Sequence, residues 1–131
     1  MSPVLVQRLE GAALALAVVM LLSMAGFQWW WLLVFFLAFD FSALGYLGGP
    51  KLGALSYNLV HNYAVPATLL MVYSALWLAS LELRWLAFLA GCWAFHVAVD
   101  RALGYGLKSS TGFEHTHLGL IGKARNKTVS N

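Results

Sequence analysis

A histidine and an aspartate lie one helical turn apart in a segment apolar enough to cross a membrane. His96 and Asp100 belong to the run Cys92–Arg101, and the guanidinium of Arg101 follows directly. Residues four apart share one face of a helix. Because ionisable groups in hydrocarbon are costly, such residues call for a function. Imidazole and carboxylate together can bind a divalent metal ion or relay a proton. The structural alternative is an Asp100–Arg101 pair near the interface, with His96 hydrogen-bonded across the bundle.

A second polar group occurs in the preceding apolar segment. Asn58, His61 and Asn62 occupy positions i, i+3 and i+4, so a helix would place them in one stripe. Pro66 lacks an N–H, and the carbonyl of Asn62 would therefore lose its helical partner. We expect a kink beside the stripe, with the freed carbonyl bound by water, a side chain or an ion. A proline kink with amides joining two helices is the alternative.

The elements that must position these residues are predicted to be four membrane-spanning helices. Of the 131 residues, 61% are hydrophobic and 10% are charged, which is far more apolar than a soluble domain. Four runs approach the roughly 20 residues that cross a bilayer. They are Leu9–Phe27, Trp29–Leu47, Leu52–Leu78 and Trp85–Leu107. The fold class is thus an all-α membrane four-helix bundle, one domain over residues 1–122, and the first run is a retained helix rather than a signal peptide.

The basic residues predict the orientation of the bundle. Seven of the eight Lys and Arg residues fall in the N-terminus, the middle loop and the tail, whereas Arg84 lies on the opposite face. Cytoplasmic loops are enriched in Lys and Arg, so both termini should be cytoplasmic. In this orientation Asp40, His61, His96 and Asp100 all lie toward one leaflet. We therefore predict a polar site in the cytoplasmic leaflet, built from three of the four spans.

The C-terminal region is predicted to be a short interfacial segment over residues 109–122. His115 and His117 lie in it, and they would close the site from the cytoplasmic side. His115 would add a metal ligand, and His117 would add a ligand or a proton carrier. A loosely bound tail with incidental histidines is the alternative. Residues 123–131 are predicted to be disordered.

Two segments of the chain resemble each other. Asp40–Tyr46 and Asp100–Tyr105 both read Asp, a short spacer and Ala-Leu-Gly-Tyr. A parallel internal repeat would make the two aspartates face each other, and chance recurrence of common helix-contact residues is the rival explanation.

Several classes of protein are excluded by composition. Cys92 is the only cysteine, so neither an intrachain disulfide nor a thiolate metal cluster can form. The net charge of +3 is modest, and the basic residues of the tail fit a membrane surface rather than nucleic acid. The expected partners are therefore the lipid bilayer and a hydrophobic small molecule, with a homo-oligomer as a further expectation.

The polar motifs also resemble a known family. The residues concerned are Asp40–Tyr46, Gly53 and Ala54, Tyr57 and Asn58, His61, His96, Asp100 and Arg101, Gly104–Lys108, Thr116–Gly119, and Ile121 and Gly122. The chain resembles a family of small bacterial membrane proteins catalogued as a domain of unknown function, the one numbered forty-two sixty. The resemblance implies a four-span protein of the bacterial inner membrane and carries no activity over.

The first functional hypothesis is a metal-dependent enzyme acting on a lipid-like or hydrophobic small molecule. Asp40, His61, His96 and Asp100 would hold Zn, Fe or Mn. His96 and Asp100, together with His117, would serve as acid or base groups. The ligand would be bound by three further polar side chains, Arg101, Asn58 and Asn62. Of these, Arg101 would contact an anionic headgroup.

Two further hypotheses come from other functional classes. His61 and His96 on adjacent helices could be the axial ligands of a haem in an electron-transfer protein, although Asp100 is an awkward neighbour for it. The other hypothesis is that the protein is a small homo-oligomeric transporter or an accessory subunit of a larger complex.

Overall fold

Four helical segments long and apolar enough to cross a membrane run through the molecule, as predicted. The computed structural model describes residues 1–123, so the predicted disordered end lies outside the described residues apart from Lys123. The spans are Pro3–Met24, Trp31–Gly48, Pro50–Leu78 and Arg84–Leu103. Large apolar side chains are exposed along them, which is the surface that lipid covers in a membrane protein.

Helix α1 (Pro3–Met24) begins earlier than the sequence predicts. The hydroxyl of Ser2 accepts a hydrogen bond from the backbone N–H of Leu5, and proline occupies the first turn. A serine cap followed by proline is a strong start signal. The helix therefore begins at Pro3 rather than at Leu9.

The second span is not one regular helix. Helix α2 (Trp31–Phe36) is followed by a 3₁₀ helix over Phe39–Gly48. Runs of 3₁₀ helix longer than three or four residues are uncommon. This one packs against the next helix through glycines: a Cβ on Gly45 would lie 1.9 Å from Oγ of Ser56, and one on Gly53 would lie 2.2 Å from the ring of Tyr46. The close approach brings the 3₁₀ helix, with Asp40 on it, against the third span.

The third span is broken rather than kinked. Helix α3 (Pro50–Val60) ends before His61, and helix α4 (Ala64–Leu78) begins three residues later. The distortion therefore falls at the predicted turn beside Asn62, but it interrupts the helix instead of bending it. Pro66 lies in the first turn of α4, where a missing N–H leaves no helical bond unmade.

Helix α5 (Arg84–Leu103) is the central helix, buried over much of its length. Helix α1 packs on it closely, because a Cβ on Gly11 would lie 2.7 Å from the carbonyl of Ala98. Nε of Arg8 donates to the carbonyl of Ala102 at 2.9 Å, so α1 begins where α5 ends. The helix stops at Gly104, whose φ of 97° is left-handed, and not at Leu107 as predicted.

A small antiparallel sheet follows α5, and the sequence analysis did not anticipate it. Its strands are β1 (Lys108–Ser109), β2 (Gly112–Thr116) and β3 (Gly119–Leu120), in that order. The side chain of Asn58 fastens it to α3: Nδ2 donates to the carbonyl of Lys108 at 2.9 Å, and Oδ1 accepts from the N–H of Lys108 at 2.6 Å. The predicted interfacial segment is thus a sheet held against the end of the bundle.

Candidate functional site

Two histidine rings and two carboxylates meet inside the bundle. Nε2 of His61 lies 2.9 Å from Nε2 of His96, and both rings are fully buried. Oδ1 of Asp40 lies 3.5 Å from the first of these nitrogens and 3.7 Å from the second. Oδ2 of Asp100 lies 3.5 Å and 3.9 Å from them. The structure therefore brings together four of the side chains that the sequence analysis assigned to a site.

The broken third span is what turns His61 toward the site. His61 is the first residue beyond α3, and its Nδ1 lies 3.0 Å from the carbonyl of Tyr57. A carbonyl only accepts, so Nδ1 carries the ring hydrogen and donates it. The lone pair of Nε2 is then free to face His96 and the two carboxylates. A backbone hydrogen bond of this kind is how proteins fix the tautomer of a metal-binding histidine.

Aromatic packing and one contact with His61 hold the ring of His96. It lies against Phe36 and Phe39, with ring centroids 4.7 Å and 5.4 Å away. Nδ1 of His96 is buried and finds no hydrogen-bond partner within residues 1–123. The polar contacts of this ring are therefore made through Nε2, which points into the site.

The two carboxylates have different surroundings. Oδ2 of Asp100 accepts a hydrogen bond from the hydroxyl of Tyr57 at 3.0 Å, and its side chain is 10% exposed. The side chain of Asp40 is 45% exposed and makes no such bond to Tyr57. Asp100 is thus fixed inside the bundle, whereas Asp40 faces the entrance of the site.

Side chains satisfy the carbonyls that the helix break leaves free. Nδ2 of Asn62 donates to the carbonyls of Asn58 and Leu59 at 2.7 Å and 2.9 Å. Nε1 of Trp93 donates to the carbonyl of Val60 at 2.6 Å. The sequence predicts that the carbonyl of Asn62 is freed and needs a partner at this turn; the carbonyls that side chains bind here are instead those of Asn58, Leu59 and Val60.

The guanidinium of Arg101 also donates to a carbonyl at the helix break. It donates to the carbonyl of His61 at 2.7 Å and to the carbonyl of Tyr105 at 2.6 Å. It forms no ion pair with Asp100, so that half of the structural alternative is wrong, whereas the contact of His96 with His61 across the bundle agrees with its other half. Arg101 fixes the backbone beside the site and does not line the cavity that adjoins Asp40 and Asp100.

A cavity of about 250 Å³ adjoins the two carboxylates of the cluster. Its polar lining consists of Asp40, Asp100, Tyr57 and Lys108. The other walls are apolar or aromatic and are formed by Phe36, Ala43, Leu103, Tyr105 and Phe113. A hydrophobic molecule with one polar end matches this lining.

The two tail histidines lie apart from the four-atom cluster. Nδ1 of His115 lies 2.7 Å from Oγ1 of Thr111 on the sheet. Nδ1 of His117 accepts from the N–H of Leu107 at 2.8 Å, and burial lowers the pKa of this ring. His117 lines a separate cavity of about 410 Å³ together with Arg101. The structure does not bring either ring to Asp40, His61 and His96.

The distances between the donor atoms fit a single metal ion. Ligand atoms at about 2.0–2.1 Å from a tetrahedral ion are about 3.3–3.4 Å apart; here each carboxylate oxygen lies 3.5–3.9 Å from the two ring nitrogens, which lie 2.9 Å from each other. Asp40, His61 and His96 form a group that could hold an ion. Two imidazoles with one or two carboxylates suit Zn, Fe or Mn.

Comparison with known proteins places the chain in a family and assigns no activity. No curated protein and no solved structure matches it. The model of a family described as a domain of unknown function, DUF4260, matches residues 4–121, nearly the whole chain. The chain therefore belongs to the DUF4260 family.

Proposed function

We propose that the protein is a membrane-embedded, metal-dependent enzyme that acts on a hydrophobic or lipid-like small molecule. One observation carries the proposal: two fully buried imidazoles and the carboxylate of Asp40 place their ligand atoms within 4.8 Å of one another inside a membrane bundle, with the carboxylate of Asp100 3.5 Å from one of the rings. Such groups are rare in spans and mark functional sites. The proposal also places the site in the cytoplasmic leaflet of a bacterial inner membrane.

The surrounding residues support binding of a metal ion rather than a buried ion pair. Tyr57 acts on two of the donors, because its carbonyl accepts from His61 and its hydroxyl donates to Asp100. Outer partners of this kind orient metal ligands and raise their affinity. A divalent ion bound there supplies Lewis-acid chemistry.

The exposure of Asp40 gives it a separate role. Its carboxylate borders the cavity and is 45% exposed, whereas Asp100 is almost enclosed. A carboxylate at the junction of the donor cluster and the cavity can accept a proton from a bound substrate. We therefore assign the general base to Asp40, in addition to its place with the two histidines in the group that could hold an ion.

The haem alternative is less well supported by the distances. Two axial histidines on one iron, each about 2.0 Å away, would have nitrogens about 4 Å apart on opposite sides of the macrocycle. Here the two Nε2 atoms are 2.9 Å apart, and one oxygen of Asp40 and one of Asp100 each lie 3.5 Å from Nε2 of His61. This separation of the two nitrogens is too short for two axial ligands of one haem iron.

Metal analysis of the purified full chain tests the proposal. After expression in medium containing Zn, Fe and Mn, we expect about one equivalent of one of these metals per chain. His96→Ala should lose it, because the substitution removes a buried nitrogen donor. His115→Ala is the matched control and should keep it, since His115 bonds to Thr111 away from the cluster. Wild-type protein without metal, or equal metal in a folded His96→Ala protein, would contradict the proposal.

A further inference from the structure

A buried lysine faces the cavity beside the donor cluster. Lys108 is 5% exposed, and its Nζ has no hydrogen-bond partner in the described part of the chain. Three aromatic rings surround the ammonium: their centroids lie 3.8 Å away for Phe113, 4.8 Å for Tyr57 and 5.8 Å for Tyr105. Ring faces attract a cation, but they do not replace hydrogen-bond acceptors for its N–H groups.

The backbone, and not the flexible side chain alone, sets the position of this ammonium. Both backbone groups of Lys108 are bonded to the amide of Asn58, and β1 pairs with β2 opposite Thr116. A lysine on a free surface would turn its charge toward water. Lys108 instead carries its charge inward, to a cavity that it shares with Asp40 and Asp100.

The charges around the cavity determine what the lysine can bind. A metal ion on the donor cluster would offset the two carboxylates. The donors of Arg101 are directed to two backbone carbonyls. Among the residues that line the cavity, Lys108 is the cation, and a buried ammonium of this kind prefers an anionic acceptor.

We propose that Lys108 binds the anionic group, a carboxylate or a phosphate, of a substrate whose apolar part lies along the aromatic wall of the cavity. This inference rests on the proposed function, and it narrows the substrate class to an amphiphilic oxyanion. The apolar lining by Phe36 and Leu103 provides the place for the hydrocarbon part. Burial lowers the pKa of Lys108 from 10.5 to about 8, which agrees with an ammonium that lacks its anion.

Binding of dodecyl phosphate to the full chain in phosphatidylcholine nanodiscs tests this assignment. Lys108→Met should weaken binding about tenfold to hundredfold at pH 7, since a hydrogen-bonded charge is lost. Lys51→Met, at an exposed lysine of α3, is the matched control and should bind as the wild type does. Equal affinity of the Lys108→Met and wild-type proteins would overturn the proposal.

Two further ligands separate the sources of the anion. Dodecanol, which lacks the charge, should bind weakly and equally to both proteins. Inorganic phosphate should bind at least tenfold more weakly than dodecyl phosphate. If inorganic phosphate binds as tightly as dodecyl phosphate, the site binds a free anion, and the assignment of an amphiphilic substrate is wrong.

Metal content measured on the same samples separates this inference from the proposed function. Lys108→Met should keep the metal, because Lys108 is not among the donor atoms. Metal-free wild-type protein that still binds dodecyl phosphate through Lys108 would refute the metal enzyme and leave the anion site standing. Metal-bound protein that binds dodecyl phosphate equally well with and without Lys108 would refute the anion site and leave the metal enzyme standing.

Discussion

Tyr57 connects the donor cluster to the cavity. Its carbonyl accepts from His61, its hydroxyl donates to Asp100, and its ring stacks on His61 with centroids 3.6 Å apart. The same ring lies 4.8 Å from the ammonium of Lys108. Tyr57 thus contacts the ring of His61, the carboxylate of Asp100 and the ammonium of Lys108. We therefore expect metal binding to change the affinity for the substrate, and substrate binding to change the affinity for the metal.

Lys108 should reduce the stability of the ligand-free protein. Its pKa falls from 10.5 to about 8 in the folded state, so between pH 8 and pH 10.5 the unfolded chain binds more protons. The free energy of unfolding therefore rises with pH across this window. Below pH 8 the buried ammonium imposes its full penalty, which Asp100 reduces and Arg101 increases.

Replacement of Lys108 should remove this penalty. Lys108→Met is expected to raise the unfolding free energy by about 1–3 kcal/mol at pH 7, and the gain should shrink to near zero by pH 10.5. Thermal unfolding in detergent at pH 7, 9 and 10.5 measures it. A variant less stable than the wild type at pH 7 would show that the ammonium has a partner in the folded protein.

The break between α3 and α4 is the element on which the site depends. It places His61 at a helix end, where its backbone carbonyl and its ring both reach α5. Asn62 stabilises the break on both sides, because it also accepts from the N–H of Ala64 at 2.8 Å. Irregular backbone at membrane depth persists only when such groups are satisfied.

Asn62→Ala should therefore destabilise the fold. We expect a loss of about 1–2 kcal/mol, since two carbonyls and one N–H lose their partner. Thr68→Ala is the control: the Thr68 hydroxyl bonds to the carbonyl of Ala64 within regular helix, and its loss should have little effect. Chemical unfolding in detergent compares them. Equal stability of the two variants would show that Asn62 does not hold the break.

Local sequence signals place the helices well and their distortions poorly. The four apolar runs predicted four spans, and the structure confirms them. Pro66 pointed to the right turn of the third span but not to the right residues, because the partners of the freed carbonyls, Trp93 and Arg101, belong to α5. The 3₁₀ helix likewise follows from packing of Gly45 and Gly53 against the facing segment. Tertiary contacts of this kind leave no local periodicity to read.

The site was predictable in part for a related reason. Charged residues in apolar spans are conspicuous, so Asp40, His61, His96 and Asp100 could be identified without a structure. Lys108 could not, because a lysine just beyond a predicted span normally marks the water interface. Its burial depends on β1 and on the bonds to Asn58, and a two-residue strand has no sequence pattern of its own.

At the scale of the whole molecule, the charge distribution predicts the orientation. Arg8 ties the start of α1 to the end of α5, so Ser2 and the sheet lie at one end of the bundle. Arg84 donates to the carbonyl of Ala25 at the other end. The positive-inside rule assigns the first end to the cytoplasm.

Cysteine labelling in intact cells checks this assignment. In a Cys92→Ala background, Ser80→Cys should react with a membrane-impermeant maleimide added outside. Ser109→Cys should react only after the cells are permeabilised. The opposite pattern would place the site in the outer leaflet and refute the predicted orientation.

The central claim is that His61 and His96, with the carboxylates, bind one metal ion. X-ray absorption spectroscopy at the edge of the metal in the purified full chain tests this most directly. For the wild type we predict nitrogen and oxygen ligands at about 2.0–2.2 Å, with scattering from two imidazole rings. Any metal that remains in the His96→Ala protein should show scattering from one ring. A bound metal without imidazole scattering, or a spectrum unchanged by the substitution, would contradict the account.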